Sequence, residues 1–258
     1  MAATVHLPVI ATLRAAVVEV TMRWRKLFAA VALPSTVVTL AATGMHAFWP
    51  VLEQGQVARY GFQVMRISIV FGSVSGLASI LIAVSVHRTI LVDQRPLPSR
   101  FGVYWSGREF AFAWRAFVMY WAIVLAWMLV TMLFGGSSQR WEFFSLHASA
   151  IRDVLSVPAF YFVARFSLAF PAIAVGEGTG FAAAWRLSRG NGVRLAATLA
   201  VMPLLLRGLG ALLEVPVAPG EAPLAWGARA LVFCLLGVFE IAALSCAFAA
   251  LHGKRAAV

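Results

Sequence analysis

Charged residues are scarce in this sequence: only 12% of its 258 residues are Asp, Glu, Lys or Arg, against about 25% in soluble domains. Hydrophobic residues make up 62% of the chain, which excludes an ordinary soluble globular protein. Lysine is nearly absent, because Lys26 and Lys254 are the only two and arginine supplies the other positive side chains. A net charge of +11 also suits nucleic-acid-binding proteins, but here the basic residues separate apolar segments, as in membrane proteins. We therefore predict a membrane protein that does not bind nucleic acid.

Cysteine, histidine and acidic residues are too few or too scattered for most catalytic or metal sites. The two cysteines, Cys234 and Cys246, share one apolar segment and cannot meet along a helix, so no disulfide framework is expected. None of the 5 histidines has another His or Cys at ligand spacing, and the 10 acidic residues form no pair suited to acid–base catalysis. The glycine-rich run at 176–180 matches no phosphate-binding loop. We predict no enzymatic activity, no metal and no cofactor.

Long apolar stretches recur along the chain, each close to the roughly 20 residues that a helix needs to cross a bilayer. They cover residues 27–45, 67–86, 116–138, 154–176, 195–213 and 230–251. The fifth stretch is interrupted by Pro203 and Arg207. The pattern predicts an all-α, polytopic helical bundle with six transmembrane helices, forming a single domain over residues 1–258.

Arginine and lysine are distributed unevenly between the two sides of the six predicted spans. One side holds the basic residues of segments 14–26, 88–115, 186–194 and 254–255, while the other side holds Arg59, Arg66, Arg140, Arg152, Arg207 and Arg229. The more basic side is expected to be cytoplasmic, which places both termini in the cytoplasm. The first apolar run is interrupted by charges and precedes its basic cluster, so no cleavable signal peptide is predicted.

Residues 8–26 have the pattern of an amphipathic helix. At about 100° per residue their apolar side chains fall within one arc and their charged side chains outside it, as in helices that lie in the membrane interface. A cytoplasmic helix packed on the bundle is the alternative. Trp24, Trp105 and Trp185 recur at similar intervals, each before an odd-numbered span, and predict a three-fold repeat of an entry helix and a transmembrane hairpin. The predicted interfacial basic and aromatic set is Arg23, Trp24, Arg25, Lys26, Trp105, Trp185, Arg186 and Arg189.

Two features inside the predicted spans are candidates for packing or function. The second span carries a close-packing face of small residues, namely Ser68, Gly72, Ser75, Gly76 and Ser79. The sequence leaves open whether this face meets the same bundle, a partner membrane protein or a second copy. Arg165 and Glu240 lie at the midpoints of the fourth and sixth spans, where a charge needs an interior partner. We predict that they form an ion pair, with either a structural role or a role in a proton or anion relay; the remaining alternative is that the two residues do not meet.

The runs HRTILVDQRPLP…FGVYW and RFSLAFPAIAVGEGTGFAAAWRLSRGNGVRL cover the segments between spans. With them the chain resembles uncharacterised bacterial six-span membrane proteins related to the membrane domain of glycerophosphodiester phosphodiesterases. The resemblance implies a bacterial inner-membrane bundle and no catalysis, because the phosphodiesterase domain of such proteins is a separate soluble barrel.

The sequence therefore predicts a non-enzymatic, multi-pass protein of the bacterial inner membrane. A scaffold, an accessory subunit or a lipid-contacting component are the expected roles. Membrane lipids with anionic headgroups are the expected partners, since juxtamembrane basic residues attract them. The alternative is a transporter or permease for small solutes or lipids that uses the Arg165/Glu240 pair.

Overall fold

A computed structural model of the chain describes residues 6–47, 57–92, 107–135, 157–177, 180–213 and 222–253. These residues are almost entirely helical and contain no strand. The helices in chain order are α1 (Val9–Met22), α2 (Trp24–Ala47), α3 (Val57–Leu91), α4 (Gly107–Gly135), α5 (157–167), α6 (Ala169–Ala174), α7 (Phe181–Leu187), α8 (Gly192–Leu213) and α9 (Ala222–Leu251). The predicted all-α class is confirmed.

Five helical segments of the described chain are long and apolar enough to cross a membrane. They are Trp24–Met45, Arg66–Leu91, Gly107–Ala126, Val157–Ala174 and Gly227–Leu251. The predicted fifth span falls in α8, whose apolar stretch covers Gly192–Leu205 and is shorter than these. Pro203 lies inside this helix, where it removes one backbone hydrogen bond. A multi-pass membrane protein is supported, but the predicted count of six spans is not confirmed.

The spans pack around two clusters of buried side chains. In the first cluster, α6 contacts α3 and α4, and its residues pack with Leu195 of α8 and Phe248 of α9. In the second, α2 packs against α3 and α9. Many of the most buried side chains are alanines, among them Ala164, Ala242 and Ala247. Small side chains let helix backbones approach closely, which provides the packing energy of helices in lipid.

Helix α1 contacts both clusters at one end of the bundle. Leu7, just before the helix, belongs to the first cluster, and Ala16 belongs to the second. The side that faces the bundle carries Thr12, Ala16 and Glu19. Ile10 and Val17 lie roughly 140° around the helix from that side, at about 100° per residue. Both are exposed, Ile10 at 83%. The helix thus fully buries small and polar residues, packs Leu13 and Val20 partly against the second cluster, and leaves Ile10 and Val17 exposed.

Within the described residues, the small-residue face of α3 has no close neighbour where its glycines lie. Gly72, Gly76 and Ser79 are exposed, and a Cβ added at either glycine would meet no other heavy atom within 4 Å. Ser68 and Ser75 are partly buried. The predicted close packing of this face is therefore not made against the described residues of this chain.

The predicted three-fold repeat is not confirmed. Trp105 lies outside the described residues. Trp24 and Trp185 have different surroundings, because Trp24 is largely exposed whereas Trp185 packs against two phenylalanines, Phe162 and Phe166.

Candidate functional site

Buried polar side chains occur on several helices, and some of them are hydrogen-bonded from one helix to another; we call this set the polar layer. Its members lie on α1, α3, α4, the 165–191 region, α8 and α9, and burying each is costly unless the polar group finds a partner. The members are Thr12, Glu19, Ser85, His87, Glu109, Arg165, Ser167, Ser188, Asn191, Thr198 and Ser245. Among the described residues, Ser35 is the one other buried polar side chain.

A glycine elbow after α6 brings the chain back along the span it has just left. Gly176 has a φ of +84°, a conformation that favours glycine, and its amide bonds the carbonyl of Ile173. The short helix α7 then lies beside α5. A Cβ on Gly192, at the start of α8, would lie 2.7 Å from the ring of Tyr161, so this position also requires glycine for close approach.

Arg165 is held by this returning segment. Its Nε donates a hydrogen bond to Oγ of Ser188 (2.8 Å), its Nη2 donates to the carbonyl of Trp185 (2.7 Å), and its Nη1 donates to the hydroxyl of Tyr161 (3.3 Å). The guanidinium carbon lies 3.3 Å from the centre of the Trp185 ring, a cation–π contact. Only 7% of Arg165 is exposed.

The charge of Arg165 is placed at the carboxyl end of α7. The carbonyl of Trp185 belongs to the last turn of that helix and also accepts a hydrogen bond from Oγ of Ser188 (3.1 Å). Cations are stabilised at helix C-termini, where carbonyl groups lack partners within the helix. Arg165 therefore fastens α7 to α5 by capping it.

Glu240 is not among the partners of Arg165, so the predicted ion pair does not form in this structure. The prediction treated the fourth span as a straight helix and Arg165 as isolated at its midpoint. In the structure the helix is interrupted at Leu168, and the elbow folds α7 back against the span, which supplies polar partners locally. Glu240 is partly buried and has no hydrogen-bond or ion-pair partner within the described residues.

His87 and Ser245 form a buried hydrogen bond between α3 and α9, with 2.8 Å between Nδ1 and Oγ. The hydroxyl of Ser245 also donates to the carbonyl of Ile241 at 2.9 Å. Since a hydroxyl has one proton, we assign the proton of the first bond to Nδ1 of His87. A nucleophilic serine would instead donate to the histidine, so this pair has the geometry of a helix-to-helix tie.

Two further contacts tie α1 to the polar layer. The backbone amide of Leu7 donates to Oδ1 of Asn191 at 2.8 Å. At the other end of α1, Nε of Arg23 lies 2.6 Å from a carboxylate oxygen of Glu19, and Nη1 of Arg23 donates to the carbonyl of Thr89 at 2.6 Å. Both ends of the helix are therefore anchored, one to the turn before α8 and the other to the end of α3.

The residue that follows α9 and the first turn of α4 make two further polar contacts. Nε2 of His252 lies 3.1 Å from a carboxylate oxygen of Glu177 in the elbow. Nη1 of Arg88 lies 3.5 Å from a carboxylate oxygen of the buried Glu109. Among the described residues, no group of three His, Cys, Asp or Glu side chains is arranged to hold a metal ion.

The predicted interfacial residues divide into two kinds. Arg25, Lys26, Arg186 and Arg189 are exposed, whereas Arg23 is partly buried in the contacts to Glu19 and Thr89. Arg25 lies over the ring of Trp24, with its guanidinium carbon 5.4 Å from the ring centre. Trp185 serves as the platform for Arg165 and is not a free interfacial side chain.

Sequence reasoning missed Tyr161, Ser188, Asn191 and the His87–Ser245 bond. Ser188 and Asn191 stand in the run SRGN, where the polar residues three apart could have indicated a turn with inward-facing side chains. Nothing in the spacing of His87 and Ser245 could have indicated their contact, because 158 positions separate them.

Comparison of the chain with protein-family models, curated proteins and solved structures finds no match. The resemblance to the phosphodiesterase membrane domain stays a prediction, and the function is argued from the geometry alone.

Proposed function

We propose that this chain is a non-enzymatic, lipid-contacting scaffold of the bacterial inner membrane that holds an amphipathic helix at the cytoplasmic surface. The observation that carries the proposal is the orientation of α1. Its polar and small side faces the bundle, and the large apolar side chains of Ile10 and Val17 face away from the protein.

The outward face of α1 suits the boundary between headgroups and acyl chains. Ile10 and Val17 form its apolar part, and Arg14 follows further around the helix, also exposed. A helix with adjacent bundle-facing, apolar and basic sectors can pack on a protein, enter the hydrocarbon and contact headgroups at the same time. Exposed apolar residues on a soluble surface would favour aggregation, whereas at a membrane they contribute to binding.

Six crossings with both termini in the cytoplasm fit the contacts of the polar layer. Leu7, near the start of the chain, bonds Asn191, and His252, near its end, contacts Glu177. Asn191 and Glu177 belong to the same region around α7, so both ends of the described chain lie at one end of the bundle. These contacts support an even number of crossings, in which α8 is the fifth of six spans.

Reporter fusions test this topology. Fusions placed after Arg100 and after Gly190 should show cytoplasmic activity, while fusions near Gln54, Ser138 and Pro219 should show periplasmic activity. The reason is the excess of arginine on the first side. A phosphatase reporter that is active after Gly190 would contradict the six-span topology.

Cysteine labelling tests the position of α1. The two native cysteines are buried, and a Cys234→Ala/Cys246→Ala background allows single cysteines to be placed at Ile10, Val17 or Arg14. In inside-out membrane vesicles, a membrane-impermeant maleimide should label Arg14→Cys several-fold faster than Ile10→Cys or Val17→Cys, because the thiolate reacts in water. Equal rates at the three positions would mean that the apolar face of α1 lies in water, and the proposal would fail.

A transport role is the second candidate, and Glu240 is the observation that favours it. A carboxyl group inside a span is costly and commonly marks a pathway or a partner. Glu240 lies within the span Gly227–Leu251 without a partner among the described residues. The scaffold role has the stronger support, because Arg165, which was assigned to the transport pair, is bound by Trp185 and Ser188 instead.

A further inference from the structure

Three exposed arginines lie in the last turn of α7, in the connection that follows it and in the first turn of α8. Arg186, Arg189 and Arg194 are exposed, and none has a hydrogen-bond or ion-pair partner in the described parts of the chain. We call residues 186–194 the arginine turn. No acidic residue occurs between Glu177 and Glu214, so local neutralisation from the same segment is excluded.

The arginines face outward because the other polar side chains of the turn face inward. Ser188 accepts the hydrogen bond of Arg165, and Asn191 accepts that of the Leu7 amide. Backbone hydrogen bonds from Asn191 to Ser188 and from Leu195 to Asn191 hold the turn between these anchors. Its conformation is therefore set from inside the bundle, and the arginines are presented by a fixed piece of backbone.

Aromatic and apolar side chains flank the arginine turn on the side of the spans. Trp185 stacks on Phe162 with 5.7 Å between ring centres, and Phe166 packs on both Trp185 and Phe181. Val193, inside the turn, is 74% exposed. Aromatic residues concentrate at the membrane interface, where the phosphate groups of lipids lie just outside them. This arrangement distinguishes the turn from a basic patch directed at a soluble partner.

We propose that the arginine turn binds the phosphate groups of anionic lipid headgroups. Guanidinium groups pair with phosphate oxygens through two parallel hydrogen bonds, and arginine is favoured over lysine for this purpose. The site lies apart from α1's apolar face. The inference rests on the proposed membrane-contacting role and names the lipid class that the protein selects.

The test uses the purified full-length protein in detergent, stripped of lipid and mixed with equal amounts of phosphatidylglycerol and phosphatidylcholine of the same chain length. Native mass spectrometry then measures the ratio of the two lipids retained. The variant is Arg186→Gln/Arg189→Gln/Arg194→Gln. The matched control, Arg59→Gln/Arg140→Gln/Arg152→Gln, removes the same number of positive charges from the side of the spans that is predicted to be less basic.

We expect both the wild-type protein and the control to prefer phosphatidylglycerol. In the arginine-turn variant this preference should fall by at least about tenfold, because each headgroup-facing arginine contributes on the order of fivefold to the affinity. An unchanged preference in the variant, or an equal loss in both triple variants, would overturn the proposal. So would displacement of the lipid by inorganic phosphate at millimolar concentration, because the site would then serve a free phosphate.

Two further measurements distinguish a loss of lipid selectivity from misfolding and from a failure of the proposed scaffold function. The three arginines make no described contact, so the variant should keep the wild-type melting temperature, and single Gln substitutions should give graded losses if a combined variant does not fold. The labelling rates at Ile10 and Val17 do not depend on the arginine turn. A failure of the scaffold proposal would appear in those rates, and a failure of the headgroup proposal would appear in the lipid ratio.

Discussion

Replacing Arg165 with leucine should lower the stability of the folded protein by on the order of 3 kcal/mol, because hydrogen bonds to charged groups contribute about 1.5–3 kcal/mol each. The change removes the bonds to Ser188, Trp185 and Tyr161 together with the stacking on the Trp185 ring. It also removes the cation from the end of α7. Thermal unfolding of the purified protein in detergent, followed by tryptophan fluorescence, should show a melting temperature lower by several degrees.

Two comparisons distinguish the loss of the contacts of Arg165 from a general effect of removing a positive charge. Arg189→Leu removes an exposed arginine without a described partner and should change stability by less than about 0.5 kcal/mol. Combining Arg165→Leu with Glu240→Leu should change the stability by the sum of the two single effects, because residues that share no contact act independently. If the double variant were clearly more stable than that sum, the two charges would be coupled, and Trp185 and Ser188 would not be the main partners of Arg165.

Replacing Glu19 with leucine should also be costly, by about 3 kcal/mol, because removing one member of a buried pair leaves the other charge uncompensated. Glu19 is buried against the bundle, and its carboxylate lies 2.6 Å from Nε of Arg23. Loss of this contact should weaken the junction between α1 and α2 and the bond from Arg23 to Thr89. The expected result is a lower melting temperature together with faster proteolysis near residue 23.

The Glu19→Leu/Arg23→Leu double variant should be more stable than the Glu19→Leu single variant. Since both charges are gone, it should recover much of the stability that Glu19→Leu loses, as a coupled pair does. Arg14→Leu, an exposed position on the same helix, is the matched control and should be nearly neutral. A double variant as unstable as the sum of its single changes would show that Glu19 and Arg23 act through other groups.

Composition and periodicity were sufficient to predict the helical bundle with its apolar spans and a first helix within residues 8–26. Both predictions depend only on residue types and their spacing. A stretch such as 230–251 is apolar whatever surrounds it, and Ile10 and Val17 lie on the same side of α1 whatever the helix packs on. The structure adds that Ile10 and Val17 face away from the protein, whereas Leu13 and Val20 pack against the second cluster. Which side of an amphipathic helix meets the bundle depends on the opposing surface, here the polar layer.

The partner of Arg165 could not be predicted in the same way. The sequence places the arginine at the middle of an apolar stretch, and a straight helix then leaves Glu240 as the nearest candidate by depth. The break at Leu168 and the positive φ of Gly176 change which groups come near, and these depend on packing around α6. The run AWRLSRGN contains the true partners, but only the folded elbow turns Trp185 and Ser188 back towards the span.

The sequence by itself determined that this protein is helical and rich in apolar spans, because those properties follow from residue types and their spacing. Only the tertiary structure decided which polar groups satisfy one another: Arg165 with Trp185 and Ser188, His87 with Ser245, and Leu7 with Asn191. The physical reason is that burying a polar group is unfavourable without a partner, while the choice of partner is a matter of position in three dimensions. The same packing turns the small and polar side of α1 inward and leaves Arg186, Arg189 and Arg194 facing outward.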